Sequence, residues 1–305
     1  MKPEPPKTVA TLRVAMPNPP DMLLQPLDMR AAPAAPTLNP VRTRFAMIIR
    51  SDETQDVAVP GAGAMRVHLF RPAVEGRFPG VLFFSEIYQV TDPIRRLAAT
   101  VAGQGYVVGV PEVYHEYEPA GTVLQYDKPG TDRGNDLKTT KPVAAFDADA
   151  RAGLAFLRGH AACTGRLATL GVCLGGHLAY RAALDPSVSA TACFYATDIH
   201  SGTLGEGRAD DSLARMDELK AEALFVWGRQ DPHVPFAGRE AIRARLEAVG
   251  ARYEWHEVNA AHAFLRDEGP RYDPALFLQA MAWMLALFQR TLGGMMPRDT
   301  IVDVM

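Results

Sequence analysis

Cysteine is scarce in this chain of 305 residues, which holds only Cys163, Cys173 and Cys193. Three irregularly spaced thiols supply neither a disulfide framework nor the ligand spacing of a zinc site. A reducing, cytoplasmic setting is therefore expected. An excess of charge of one sign is also missing. The 32 Lys and Arg nearly balance the 35 Asp and Glu, for a net charge of -3. Nothing in that balance points to nucleic acid or to an acidic membrane surface as a partner. No apolar run approaches the roughly 18–20 residues of a membrane span, so no membrane association is expected. The N-terminus lacks the basic-then-apolar layout of a signal peptide, because Met1 to Pro6 is proline-rich and contains Glu4. Internal repeats are absent too.

What is present is ordinary globular composition, 48% hydrophobic and 22% charged, preceded by an unusual leader. Ten of the 24 prolines fall in the first 40 residues. Segments such as Pro17-Asn18-Pro19-Pro20 favour extended or turn backbone and cannot enter a sheet interior. Residues 1–41 are read as an arm lying over the surface or reaching a neighbouring subunit, which makes a homo-oligomer possible. Residues 42–305 are read as a single α/β domain.

Within that domain strands and helices alternate. Strands are predicted at 44–49, 65–70, 80–84, 106–110, 166–172, 190–195, 223–227 and 252–258. Helices are predicted at 94–105, 142–159, 174–184, 235–249 and 273–288. The turn-rich Pro60-Gly61-Ala62-Gly63 separates the first two strands. Such alternation predicts a mostly parallel central sheet with helices on both faces. The stretch 112–141 has no clear periodicity and is read as a long binding loop.

The chemistry centres on Gly171-Val172-Cys173-Leu174-Gly175-Gly176, between a predicted strand and a predicted helix. This is a nucleophile-elbow pattern with cysteine in the reactive place. A side chain lifted out of so sharp a turn needs small neighbours, which the glycines supply. The following helix N-terminus favours an anion. Folds with an elbow bring their acid and then their histidine on later post-strand loops. Asp231, in Gly228-Arg229-Gln230-Asp231, and His262, in Asn259-Ala260-Ala261-His262, arrive in that order. Cys163 and Cys193 read as buried apolar thiols. Glu86 follows an apolar strand directly, which suggests a partly buried carboxyl with a raised pKa. Its loop is where such a fold supplies a second oxyanion N–H.

These residues resemble the dienelactone hydrolases (carboxymethylenebutenolidases) of the α/β-hydrolase fold, over roughly residues 65 to 290. The likeness rests on Gly171-Val172-Cys173-Leu174-Gly175-Gly176, Glu86-Ile87, Gly105-Tyr106, Asp231 and His262-Ala263-Phe264. It implies that Cys173 attacks a lactone carbonyl to form an acyl-enzyme, with His262 oriented by Asp231. It implies that Glu86 contacts the resting thiol and takes its proton when substrate displaces it. The backbone N–H groups of Leu174 and Ile87 would form the oxyanion hole. Arg266, four residues after His262, matches a position that holds the substrate carboxylate. The family's other arginine has no secure match; Arg133, Lys138 and Lys141 are available, and Tyr88 is a further substrate-binding candidate. Ala263 departs from the hydroxyl residue common at its position. No metal or organic cofactor is implied. The expected activity is opening of a small-molecule lactone or activated ester. The alternatives are a broader carboxylesterase on neutral esters and a non-catalytic ligand-binding sensor.

Overall fold

The structure, a computed structural model, describes residues 48–293. The proline-rich arm, residues 1–41, lies outside the described residues, as do residues 44–47 of the strand expected at 44–49. The first described strand is instead β1 (Ile49–Val59), which forms an antiparallel hairpin with β2 (Gly63–Pro72) around the expected turn. Few residues in β1 are apolar, so alternation could not reveal it. Pairing with β2 holds it, reinforced by Arg66–Asp56 and Arg71–Glu53 cross-strand ion pairs at 2.9 Å and 2.7 Å. Charge along this outermost strand also discourages edge-to-edge association.

Six further strands follow: β3 (Phe78–Phe84), β4 (Val107–Pro111), β5 (Cys163–Val172), β6 (Val188–Phe194), β7 (Glu222–Gly228) and β8 (Tyr253–Val258). Their order across the sheet is β1-β2-β4-β3-β5-β6-β7-β8. Among the described residues only the β1–β2 and β2–β4 pairings are antiparallel. The other five are parallel. β3, β4 and most of β5 are buried on both faces. This is why they read as continuous apolar runs rather than as alternating ones.

Helices cover both faces. α1 (Asp92–Ala102) and α6 (Pro274–Leu292) pack into one apolar layer, through residues such as Ile94, Leu97, Met284 and Phe288. α3 (Val143–Gly159), α4 (Leu174–Ala182) and α5 (Phe236–Ala248) build the other, through Phe146, Leu154, Leu178 and Ile242. This is the α/β-hydrolase arrangement, with the mostly parallel sheet that the alternation predicted.

Two expectations need correction. The stretch 112–141 is not loop throughout, because its second half forms α2 (Lys128–Thr140). Only Leu137 in that helix is a large apolar residue, so no apolar period marked it. Asp127 caps its N-terminus, accepting from the Gly130 N–H at 2.8 Å. The second concerns long apolar segments. α6 is long and apolar enough to cross a bilayer by length and composition alone. Gln279 interrupts its apolar run, and it packs along β5, β6 and β7.

Candidate active site

The chain leaves β3 towards β4 on one side of the sheet and takes up β5 on the other. Such a switch in strand order opens a crevice at the carboxyl ends of the strands. Cys173 follows β5, Glu86 follows β3, Asp231 follows β7 and His262 follows β8. All four sit on that one rim.

Cys173 adopts φ 57°, ψ -124°, between the last residue of β5 and the first of α4. Left-handed backbone is costly for a side-chain-bearing residue and persists only where the surroundings impose it. Here the flanking glycines make the imposition possible. A Cβ on Gly171 would lie 1.8 Å from the Gly175 carbonyl oxygen, and one on Gly175 would lie 2.0 Å from that of Phe84. The second contact presses the start of α4 against the end of β3. It thereby brings Leu174 and the Glu86–Ile87 segment to one place. The Cys173 N–H donates to Phe194 O at 3.1 Å, and its carbonyl accepts from Gly176 at 3.0 Å. Its side chain is half-buried and lines a cavity, whereas Cys163 and Cys193 are fully buried. Burial pushes the Cys193 thiol up to about 12 and raises that of Cys163. Neither can serve as a thiolate at neutral pH.

The Asp231 and His262 loops are laced together by Arg229 N–H to Val258 O at 2.8 Å and Gln230 N–H to Ala260 O at 3.0 Å. Gly228 permits this approach, since a Cβ there would meet Ala260 O at 2.4 Å. His262 Nδ1 and Asp231 Oδ2 are 2.7 Å apart, with both side chains buried. The other Asp231 oxygen accepts from the His233 N–H at 2.8 Å. Burial opposes charge on His262, but the Cys173 sulfur and Asp231 together outweigh it and the imidazole is pushed up to about 10. The ring is wedged between the edges of Tyr195 and His233, at centroid distances of 5.0 Å and 4.7 Å. A ring so held presents one nitrogen to the acid and the other towards the thiol.

Glu86 is 2% exposed. Burial raises its pKa, against the lowering influence of Arg266, the Tyr126 hydroxyl, His262 and Arg271. The Tyr126 hydroxyl donates to Oε2 at 3.0 Å, and Arg266 Nη1 stands 3.8 Å from the same oxygen. These contacts, rather than a hydrogen bond to the thiol, hold the carboxyl in this structure.

The cavity has a volume of about 150 Å³. Its walls include Glu86, Ile87, Tyr88, Cys173, His262 and Arg266. The catalytic candidates, the Ile87 part of the oxyanion pair, Tyr88 and Arg266 are thus brought together, with Asp231 behind His262. Leu174 is fully buried, and its backbone opens α4 next to Cys173.

Arg133 is not part of this site. It pairs on the surface with Glu118 at 2.7 Å and Asp136 at 2.9 Å. At 3.6 residues per turn, Thr131, Asn135 and Lys138 share the face of α2 that lines the cavity, and Arg133 points the opposite way. Lys141, which closes the C-terminus of α2, is fully buried, with Asp149 and Glu116 each at 2.6 Å. Its ammonium is the cation among His115, Glu116 and Asp149, whose ligand atoms otherwise cluster closely enough to hold a metal. Of the three basic residues considered in 112–141, only Lys138 reaches the cavity, and Asp198 binds it at 3.0 Å. Arg271, Tyr126 and Asp198 had no sequence signal. They come from segments without periodicity or motif, and only the fold gathers them.

A family model for the dienelactone hydrolase family matches residues 65–292. A Saccharomyces cerevisiae protein named "Putative carboxymethylenebutenolidase" is 40% identical over 248 residues, covering 78% of this chain and 90% of that one. A carboxymethylenebutenolidase of Pseudomonas sp. strain P51 is 28% identical over 241 residues, covering 78% and 95%. Among solved structures, a dienelactone hydrolase-like promiscuous phosphotriesterase from metagenomic libraries superposes with a TM-score of 0.64 at 19% identity, covering 81% of this chain and 99% of that one. At that identity the superposition speaks for the fold alone.

Proposed function

Because the chain belongs to the dienelactone hydrolase family, and so is a hydrolase of ester or lactone bonds, we propose that Cys173 is its nucleophile and a small lactone or activated ester its substrate. The Cys173 sulfur, as a thiolate paired with the His262 imidazolium, attacks the ring carbonyl. A tetrahedral oxyanion forms within reach of the Leu174 and Ile87 N–H groups. Collapse breaks the acyl–oxygen bond and leaves a thioester on Cys173, and the freed enolate oxygen, still tethered to the acyl group when the substrate is a lactone, takes the proton of His262 and leaves the imidazole neutral. His262, held in its tautomer by Asp231, then takes a proton from water as that water attacks the thioester, and passes it to the departing sulfur. Glu86 is the group that accepts the thiol proton if the resting sulfur is neutral. An enolate leaves readily and an amide nitrogen does not, so the substrate is a lactone or activated ester rather than a peptide.

One observation carries this reading. A cysteine in left-handed backbone faces a cavity shared with a buried histidine that is hydrogen-bonded to a buried aspartate. The test compares hydrolysis of a dienelactone and of p-nitrophenyl acetate by the wild type, Cys173→Ser and Cys173→Ala. Intact-protein mass spectrometry during turnover looks for the acyl adduct. We expect kcat to fall by about 10³-fold or more in Cys173→Ala, and an adduct on Cys173 in the wild type alone. Undiminished turnover in Cys173→Ala would remove the thiol from the mechanism. Preference for the acetate over the lactone would move the substrate class to neutral esters.

A further inference from the structure

A Glu86 that takes the thiol proton must pass it on before the next turnover, and the catalytic cavity offers no ready exit. The carboxyl is buried, and substrate in a cavity of about 150 Å³ displaces the water that would carry the proton away. Among the described residues its side chain makes one hydrogen bond, accepting from the Tyr126 hydroxyl at 3.0 Å.

Tyr126 leads away from the catalytic cavity. With its own proton engaged on Glu86 Oε2, its oxygen accepts from the Thr91 hydroxyl at 2.8 Å. The ring is held in place, edge-on to Tyr88 at 4.7 Å and beneath the Arg266 guanidinium at 4.2 Å. Burial and the Glu86 carboxylate raise the phenol pKa, so the group stays a hydroxyl. Thr91 is the N-cap of α1, a place where threonine ordinarily accepts from an N–H of the first turn. Here no such bond forms, and the hydroxyl turns to Tyr126 instead.

Tyr126 and Thr91 both line a second cavity, of about 290 Å³, which shares no lining residue with the catalytic one. Exposed Asp92, Gln125 and Glu268 belong to its walls, so it is open to water. Two hydrogen bonds in series thus join the buried carboxyl to an aqueous space that substrate does not fill.

We propose that Tyr126 and Thr91 form a proton relay between Glu86 and the water of this second cavity. The Cys173 S–H bond breaks with its electron pair left on sulfur, and Glu86 takes the proton. A half-turn of the carboxyl offers that proton to the Tyr126 oxygen, reversing the bond of the resting structure. Tyr126 passes its own proton to Thr91, and Thr91 passes its own to a water. Each hydroxyl ends with one proton, Glu86 is again a carboxylate, and a hydronium has formed near Asp92 and Glu268. Both relay residues act through Glu86 and neither touches substrate. The relay rests on the reading of Glu86 as acceptor of the thiol proton.

The test measures single-turnover acylation by a dienelactone and by p-nitrophenyl acetate, in water, in heavy water and in mixtures of the two. Wild type, Thr91→Val, Thr91→Ser and Tyr126→Phe are compared. Circular dichroism confirms that each is folded, and mass spectrometry confirms the acyl adduct. Thr91→Val keeps the size of the side chain, removes no capping bond, and leaves the Tyr126–Glu86 bond in place. Acylation is expected to slow about tenfold or more in Thr91→Val, and at least as far in Tyr126→Phe. Thr91→Ser restores the hydroxyl and should recover the wild-type rate to within about twofold. The wild-type rate should depend on deuterium fraction along a curve, because several protons move together, and the curve should straighten in Thr91→Val.

A wild-type rate and isotope effect in Thr91→Val would overturn the relay, because a Tyr126 that only holds Glu86 in place has no need of Thr91. So would a Thr91→Ser as slow as Thr91→Val, which would assign the loss to packing. A wild type that forms no acyl adduct would sink the hydrolase reading and the relay with it. Normal wild-type acylation with no response to Thr91→Val removes the relay alone, so the two failures are distinguishable.

Discussion

At the scale of single residues, the site depends on how Asp231 and His262 divide their hydrogen bonds. Asp231 spends one oxygen on a backbone N–H and the other on His262 Nδ1. An asparagine in its place would keep the shape but could present an N–H to Nδ1, favouring the tautomer that protonates the nitrogen facing Cys173. Asp231→Asn is therefore expected to lower kcat by about 10³-fold with the fold and melting temperature nearly unchanged. Pre-steady-state kinetics should show acylation and deacylation both slowed. A loss below tenfold would mean that His262 is oriented by its aromatic neighbours and not by the acid. Much of this site was legible in the sequence. Gly171 and Gly175 announce a contact that no side chain could share, and the order cysteine, aspartate, histidine announces which loops must meet. Arg271 and Tyr126 were not legible. An arginine or tyrosine in an irregular segment looks the same on a page whether it faces water or a cavity, and only the path of the backbone decides.

At the scale of elements, α2 is the piece that the sequence hides and the site needs. It carries Thr131, Asn135 and Lys138 into the cavity wall, and its Gly134 lies against Ile87, where a Cβ would stand 2.6 Å from the Ile87 carbonyl oxygen. The Tyr88 hydroxyl bonds Thr131 at 2.8 Å, which ties the same helix to the Glu86 loop. With a single large apolar residue, α2 draws its place from polar contacts, above all Lys138–Asp198. Burial alone would raise the Asp198 pKa, but Lys138 and neighbouring donors hold it below its ordinary value. A depressed carboxylate contributes stability above its unfolded-state pKa, near 4, and loses that contribution as pH falls through the folded value. Lys138→Met is therefore expected to cost about 2 kcal/mol at pH 7, with a smaller deficit at pH 3. Urea midpoints at the two pH values measure it. Equal deficits at both would show that the lysine stem, not its charge, secures the helix. The strands were read more successfully than this helix because burial on both faces writes itself as an unbroken apolar run. β1 and α2 are held by pairing and capping, which leave no such trace.

At the scale of the whole molecule, the separation of core from rim decides what can be removed. The two apolar layers are filled by residues from Leu69 to Leu292, and a small third cluster around Met65 and Val67 closes the β1–β2 end. The proposed catalytic side chains sit at the carboxyl ends of β3, β5, β7 and β8, and the groups around them come from the loop after β6, from α2 and the segment before it, and from the turn before α6. Residues 1–41 lie outside the described residues, and we propose that they serve assembly rather than chemistry. A chain beginning at residue 42 is expected to fold, to melt within a few degrees of the full chain, and to keep its kcat and KM on a small lactone or ester. Light scattering should register the change as an altered oligomeric state or a lower solubility limit. The contrary result is equally concrete. A truncated protein that remains soluble, keeps the native oligomeric state and loses turnover would place part of the arm's function in a catalytic pocket, its own or a neighbour's. Size exclusion and turnover measured on the same preparation separate the two outcomes, because assembly and chemistry are then read from one population.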